Sequence, residues 1–332
     1  MRRKCPRSAG RAVAMSAMGV PVDCNLTIGA GGCEGKPSPS IASPWLSGLS
    51  PGSGEGIQVM TISGLRQVVL DRIGRWLEKP VIEGTVLGRA LRFMARHYHN
   101  NSSDLAANGE IELIGRARRF CAAGECVVDV GANRGQYARA WLAPPGGVDV
   151  LSFEVDAALA AELAEQARSH GGRWQVFPFG LSDRDAEVTV WRSGASSELT
   201  SIEQPLEPGF SPGTARVRDA AALGEIAGRP IFFLKLDVEG HELAILRRVI
   251  AAGLRPRIIQ FEFGSTAVAA RSFLLDFCAL LRADYVFGRL YRAGVDFADY
   301  DPRTAECLDM MGNYVAVLKT EPALVSALSA RR

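Results

Sequence analysis

The sequence lacks the marks of several large protein classes. No stretch holds 18 consecutive apolar residues, so no membrane-spanning helix is expected. The seven cysteines, Cys5, Cys24, Cys33, Cys121, Cys126, Cys278 and Cys307, contain no CxxC pair. Their odd number and scattered spacing point to neither a zinc site nor a disulfide framework. Free thiols in a reducing cytoplasm are the expectation. Net charge is scarce as well: 38 Lys and Arg against 36 Asp and Glu leave +2. Six of those bases and three of the acids fall in residues 1–59, so the rest is close to neutral. A near-neutral body offers no basic footprint for DNA or RNA. There is no internal repeat. What is present is an ordinary globular mixture, 47% hydrophobic and 22% charged, sufficient for a sizeable core.

Residues 1–59 stand apart. Ten Gly, six Pro and eight Ser fill them, with almost no apolar periodicity. Such a segment buries too little to offset its ordering entropy, so a disordered tail is expected. Arg2–Arg11 and Ala12–Val22 resemble the start of a signal peptide, but Ser16, Gly19 and Pro21 interrupt the apolar run. A chain proper starting at Met60 is the other reading. Residues 60–109 form an expected N-terminal helical segment. Leu65, Val68, Val69, Ile73, Trp76 and Leu77 share one helical face up to Pro80, and a second helix is expected over Val86–Tyr98. A polar loop, Asn100–Asn108, precedes a third helix over Glu110–Phe120. Residues 110–320 form the main domain, and 321–332 are expected to be a tail.

Within 110–320, short apolar runs alternate with helical ones. Strands are expected at Cys126–Val130, Val148–Phe153, Trp174–Phe177, Ala186–Trp191, Ile231–Leu236, Ile258–Phe263, Tyr285–Leu290 and Tyr314–Leu318. Helices are expected at Gly135–Leu142, Ala157–Ser169, Glu242–Ala252 and Ala267–Leu281. This alternation predicts an α/β fold, a doubly wound and mostly parallel sheet covered on both faces. Ligands on such sheets sit past the carboxyl ends of the strands.

Four motifs lie at those ends. The first runs from a buried strand through Asp129 into Gly131-Ala132-Asn133-Arg134-Gly135. Glycines there let the backbone approach a ligand. A dinucleotide fingerprint would place glycine at Asn133, and a pyrophosphate beside Asp129 would meet repulsion. An acid at this point suits a cation instead. The second is Ser152-Phe153-Glu154-Val155-Asp156, in which Glu154 can accept both hydroxyls of a ribose. The third, Phe177–Asp183, is an apolar bend beside Ser182 and Asp183, which can read a nucleobase edge. The fourth, Phe233–Glu242, crowds Asp237, Glu239, His241 and Glu242 just past an apolar strand that contains Lys235. Such crowding displaces pKa values and suits proton transfer. Gln260-Phe261-Glu262-Phe263 brings another acid to the same edge.

Taken together, Asp129–Gly135 (DVGANRG), Phe153-Glu154, Gly180–Asp183 (GLSD) and Lys235–Glu242 (KLDVEGHE) with Glu262 resemble the FkbM-type methyltransferase family. The resemblance covers roughly Glu110 to Lys319. It implies the class I methyltransferase fold: a seven-stranded, mostly parallel Rossmann-like sheet ending in an antiparallel hairpin, here Tyr285–Leu290 with Tyr314–Leu318. It also implies S-adenosylmethionine as methyl donor and an oxygen acceptor on a polyketide, sugar or related metabolite. Arg134, Gln136 and Ala157 depart from the family pattern. Arg216–Leu223 matches it loosely, and Ser193–Gly213 resembles its variable Ser-rich region.

The expected donor-binding residues are therefore Asp129, Gly131, Asn133, Gly135, Glu154, Ser182 and Asp183. His241, Glu239 and Asp237 are the expected catalytic set, with His241 first as base because an ordinary imidazole titrates near neutrality. The partner is a small-molecule or glycan acceptor, and no metal is needed to activate a sulfonium. Three rivals remain at this point: a nicotinamide dehydrogenase, a methyltransferase with a metal on Asp237, Glu239 and Glu262, and a donor-binding domain without turnover.

Overall fold

The computed structural model describes Arg72 and residues 85–90, 104–143, 147–193, 200–203, 209–298 and 311–330. The chain divides into two compact units, Met1–Val69 and Leu70–Arg332. The first lies wholly outside the described residues, and so does the tail expected over 1–59. Of the segment expected to be helical over 60–109, Arg72 and residues 86–90 are helical, and residues 73–84 and 91–103 lie outside the described set.

The strands of the second unit are β1 (Cys126–Val130), β2 (Asp149–Phe153), β3 (Trp174–Phe177), β4 (Gly180–Ser182), β5 (Ala186–Ser193), β6 (Thr200–Ser201), β7 (Phe210–Asp219), β8 (Ile231–Leu236), β9 (Ile258–Phe263), β10 (Tyr285–Tyr291), β11 (Gly294–Asp296) and β12 (Gly312–Leu318). The helices are α1 (Glu110–Ala117), α2 (Gln136–Leu142), α3 (Ala157–Ala167), α4 (Leu223–Ala227), α5 (Glu242–Ala251), α6 (Ser265–Ala269), α7 (Leu274–Leu281) and α8 (Pro322–Leu328).

The main sheet runs β11-β10-β12-β9-β8-β1-β2-β3. Strands β3, β2, β1, β8 and β9 are parallel, and β12 and β10 add the antiparallel pairing foreseen for the end of the domain. Every residue of β1 and β8 is buried, the pattern of parallel strands covered on both faces. One face packs Leu243, Ile245, Leu246 and Val249 of α5 with Phe277 and Leu281 of α7. The other packs Leu113 of α1, Trp141 of α2, Leu163 of α3, and Leu324 and Leu328 of α8. Trp141 meets Phe232 and Phe233 edge-on, a favoured aromatic geometry.

Four sequence expectations change. The sheet has eight strands rather than seven, because β11 pairs with β10 at its edge. The strand foreseen at 186–191 leaves the main sheet altogether; it lies in a second sheet ordered β4-β7-β5-β6. The helix foreseen over 267–281 is two helices, broken where Arg271 takes φ 57. Within the tail expected over 321–332, Pro322–Leu328 form a helix whose Leu324 and Leu328 are fully buried. Arg257 fastens α8 in place: it bonds Glu321 and Glu125 and the carbonyl of Phe120, with its guanidinium 5.1 Å above the Phe232 ring.

Candidate active site

The loops after β1, β2 and β8, together with strand β4, open on one cavity of about 400 Å³. At the end of β1, Asp129 is wholly buried and neither carboxylate oxygen has a hydrogen-bond partner. Burial lifts its pKa to about 6, although Lys235 pulls the other way. Two residues on, Gly131 takes φ 80 and Asn133 φ 48. A Cβ on Gly131 would overlap the carbonyl oxygen of Asp237, so this glycine is demanded by the neighbouring loop. A Cβ on Gly135 would come within 2.6 Å of Leu163 and 2.8 Å of Trp174; that glycine serves helix packing and does not line the cavity. Glu154, at the end of β2, is buried. Its Oε2 accepts the Asn133 amide at 2.7 Å and its Oε1 the Asp156 amide at 2.8 Å. It thereby sets the shape of the loop after β1 while lining the cavity.

The loop after β8 carries the acids. Lys235 is buried, and its Nζ donates to Asp237 at 2.8 Å while sitting 4.9 Å from the Tyr137 ring centroid. Burial opposes the ammonium charge, but Asp237, Asp129 and Glu110 outweigh it and raise the pKa of Lys235. Burial likewise opposes the charge on Asp237. Lys235 and a hydrogen bond with Glu262 hold that carboxyl below its ordinary range. The Asp237 charge and then burial push Glu262 far above its own range. Glu262 thus keeps its proton and donates it to Asp237. Glu239 takes φ 56, and burial, with Asp237 and Glu242 nearby, lifts its pKa to about 7. Glu242 turns back to accept the amides of Val238 and Gly240, while burial lifts its pKa to about 7. Among the described residues no group of three or more His, Cys, Asp or Glu side chains is arranged to hold a metal ion.

Residues 129–287 match the family model of the methyltransferase FkbM domain. This stretch is similar to an FkbM methyltransferase domain. S-adenosylmethionine is the cofactor that the match supports. Among solved structures, a methyltransferase FkbM from Methylobacillus flagellatus KT is 19% identical, with 58% of this chain and 43% of that one covered and a TM-score of 0.38. The shared region thus spans less than half of the Methylobacillus chain. A putative rRNA-methylase from Clostridium thermocellum is 11% identical over 63% of this chain and 95% of that one, with a TM-score of 0.37. A putative O-methyltransferase from Klebsiella pneumoniae is 13% identical over 76% and 96%, with a TM-score of 0.33. No curated protein matches.

The fold brings Gly131, Asn133, Glu154, Asp237, Glu239 and Glu262 onto one cavity. It does not bring Gly135, Ser182, Asp183 or His241 there, and Asp129 lies buried behind the lining residues Val130 and Gly131. Asp183 points outward, with 53% of its side chain exposed, and pairs with Arg184. Ser182 is turned to His241, its Oγ 3.0 Å from Nε2. The other imidazole nitrogen, Nδ1, is 3.1 Å from Glu203. His241 does not line the cavity, and both of its ring nitrogens have side-chain neighbours. The opposite wall escaped the motif reading. There, Gln260 Oε1 accepts the hydroxyl of Tyr137, its Nε2 donates to Glu110 and Asn313, and Asn108 donates to Glu110. The sequence signal for this wall was Gln260, which with Glu262 interrupts an otherwise apolar strand.

Proposed function

We propose that this domain is an S-adenosylmethionine-dependent methyltransferase acting on a hydroxyl oxygen of an uncharged small-molecule, sugar or glycan acceptor. The observation that carries this reading is Asp129: a buried carboxylate with no partner, at the strand end where the cavity begins. Leaving such a group unpaired is costly, and a cationic ligand would relieve that cost, whereas a pyrophosphate would add to it. Glu154 fits a ribose beside it. Each of its oxygens accepts one backbone amide and retains lone-pair capacity for a hydroxyl. S-adenosylmethionine, when bound, supplies a methyl group already activated by its sulfonium.

The protein's own work is alignment and proton removal. Glu239 lines the cavity, and its affinity for protons, centred at about pH 7, matches that of an efficient general base. In this reading Glu239 takes the hydroxyl proton, Lys235 keeps Asp237 charged, and the Asp237–Glu262 pair orients the acceptor oxygen. The cavity lining holds Glu110, Glu154, Asp237 and Glu239 against Lys235 and Arg134, an excess of acids that disfavours phosphorylated or carboxylated acceptors.

Two measurements test the reading. Calorimetry should detect S-adenosylmethionine binding to the wild-type protein, and Glu154→Ala should weaken it about tenfold or more, since unmet buried hydrogen bonds cost ~1–3 kcal/mol. A radiolabelled donor offered with matched hydroxyl and amine acceptors should label the hydroxyl series. Transfer to amines alone, or no donor binding, would overturn the proposal.

A further inference from the structure

The second sheet reaches the cavity at Thr200 and Ile202. The chain around them is fastened to the loop after β8. Ser201 Oγ donates to the Glu239 carbonyl at 2.7 Å and accepts the Glu203 amide at 3.0 Å. Glu203 Oε1 is 3.1 Å from His241 Nδ1, and His241 Nε2 is 3.0 Å from Ser182 Oγ. Ser182 ends β4, which pairs with β7. The imidazole therefore joins two parts of the second sheet to a loop of the first. A further tie runs from Arg192 of β5 to Asp156 at 2.6 Å, two residues beyond Glu154.

The loop needs such fastening. Glu239 and Gly240 both hold positive φ, 56 and 105, and a residue with a Cβ keeps that conformation only where its surroundings impose it. Ser201 secures the Glu239 carbonyl, and Thr266 bonds its side chain. His241 lies two residues away and is held from both sides.

We propose that His241 is a positioning residue: it latches the Thr200–Glu203 segment onto the loop after β8 and so keeps the Glu239 carboxyl facing the cavity. The functional importance of the latch rests on Glu239 being the base, but the latch itself can be measured without acceptor or turnover. Opening it admits water to Glu239, whose raised proton affinity comes first from burial.

The test uses the full chain with Glu203→Ala, Glu203→Gln, His241→Ala and the double alanine variant. Hydrogen exchange by mass spectrometry reads the latch, and 13C-carboxyl titration reads Glu239, its signal assigned by loss in Glu239→Gln. Both single alanine variants should speed exchange over residues 200–203 and 238–241 by about tenfold or more. The double variant should go no further, because the residues act as one contact. Glu203→Gln retains an oxygen acceptor and should behave as wild type. The Glu239 midpoint should fall from about 7 toward an ordinary glutamate value near ~4.3. Exchange over residues 129–135 should not change. Glu203 lies outside helices and strands, so Glu203→Ala remains informative even if His241→Ala fails to fold. Wild-type exchange and titration in Glu203→Ala, or additive effects in the double variant, would overturn the latch. An opened latch with methyl transfer intact would leave the latch standing and remove Glu239 as base.

Discussion

The loop after β1 and the loop after β8 touch at the same edge of the sheet, yet they treat their acids in opposite ways. At the entry to the first, Asp129 in β1 is buried with no hydrogen-bond partner. In the second, Asp237 has Lys235 and Glu262, and Glu242 has two backbone amides. A paired acid can be read as architecture. An unpaired one at full burial destabilises the protein unless a ligand supplies the missing charge. The comparison separates a loop assembled for itself from a loop assembled for something else, and four substitutions test it.

The largest effect is expected in the loop after β8. Glu239→Gln keeps the size of the side chain and removes the base. Turnover should fall by roughly 10²–10⁴-fold with donor affinity unchanged; turnover within a factor of a few of wild type would show that the proton leaves elsewhere. Next comes the point where the loops meet. Gly131→Ala would drive a Cβ into the Asp237 carbonyl and should lower unfolding free energy by roughly 3–5 kcal/mol, the range of severe single substitutions, read from the urea midpoint.

The third substitution goes to the centre of the contrast. Burial lifts the pKa of Asp129 to about 6 in the folded protein, against ~3.9 for an ordinary aspartate. The folded state therefore prefers the protonated form, and the ionised form costs stability above pH 6. Asp129→Asn should raise unfolding free energy at pH 7 by up to ~3 kcal/mol while weakening S-adenosylmethionine binding about tenfold. The stability gap between variant and wild type should be widest above pH 6 and close as pH falls from 6 to 4. A destabilised variant with unchanged donor affinity would mean that Asp129 is ordinary architecture. The smallest effect is expected at Asp183. Its exposed side chain predicts that Asp183→Ala changes donor affinity less than about twofold, since surface changes away from sites cost little.

Backbone order was legible in the sequence where chemistry repeats over several residues. The apolar runs at 126–130, 231–236 and 258–263 have the bounds read from sequence, because a strand buried on both faces tolerates few polar side chains; the edge strand at 174–177 also has its expected bounds. Side-chain direction was less legible. In the run from Asp237 to Glu242 four of six residues are titratable, and a turn with two positive φ angles decides which face the cavity. Glu239 turns toward it and His241 away. Gly131 and Gly135 stood out as glycines, but the atoms that require them, on Asp237, Leu163 and Trp174, are distant in sequence. Asn108, Glu110 and Asn313 carried no local signal, since they converge only through Gln260.

That convergence has a consequence in time. Gln260 bonds Glu110, 150 residues before it, and Asn313, 53 residues after it. The antiparallel course of β12 sets Asn313 opposite Glu262, so the far end of the domain supplies part of the wall. During synthesis the loops after β1 and β2 emerge long before residue 313. A chain still on the ribosome can therefore shape its donor side first, and the acceptor side closes only once the last strand of the sheet has been made.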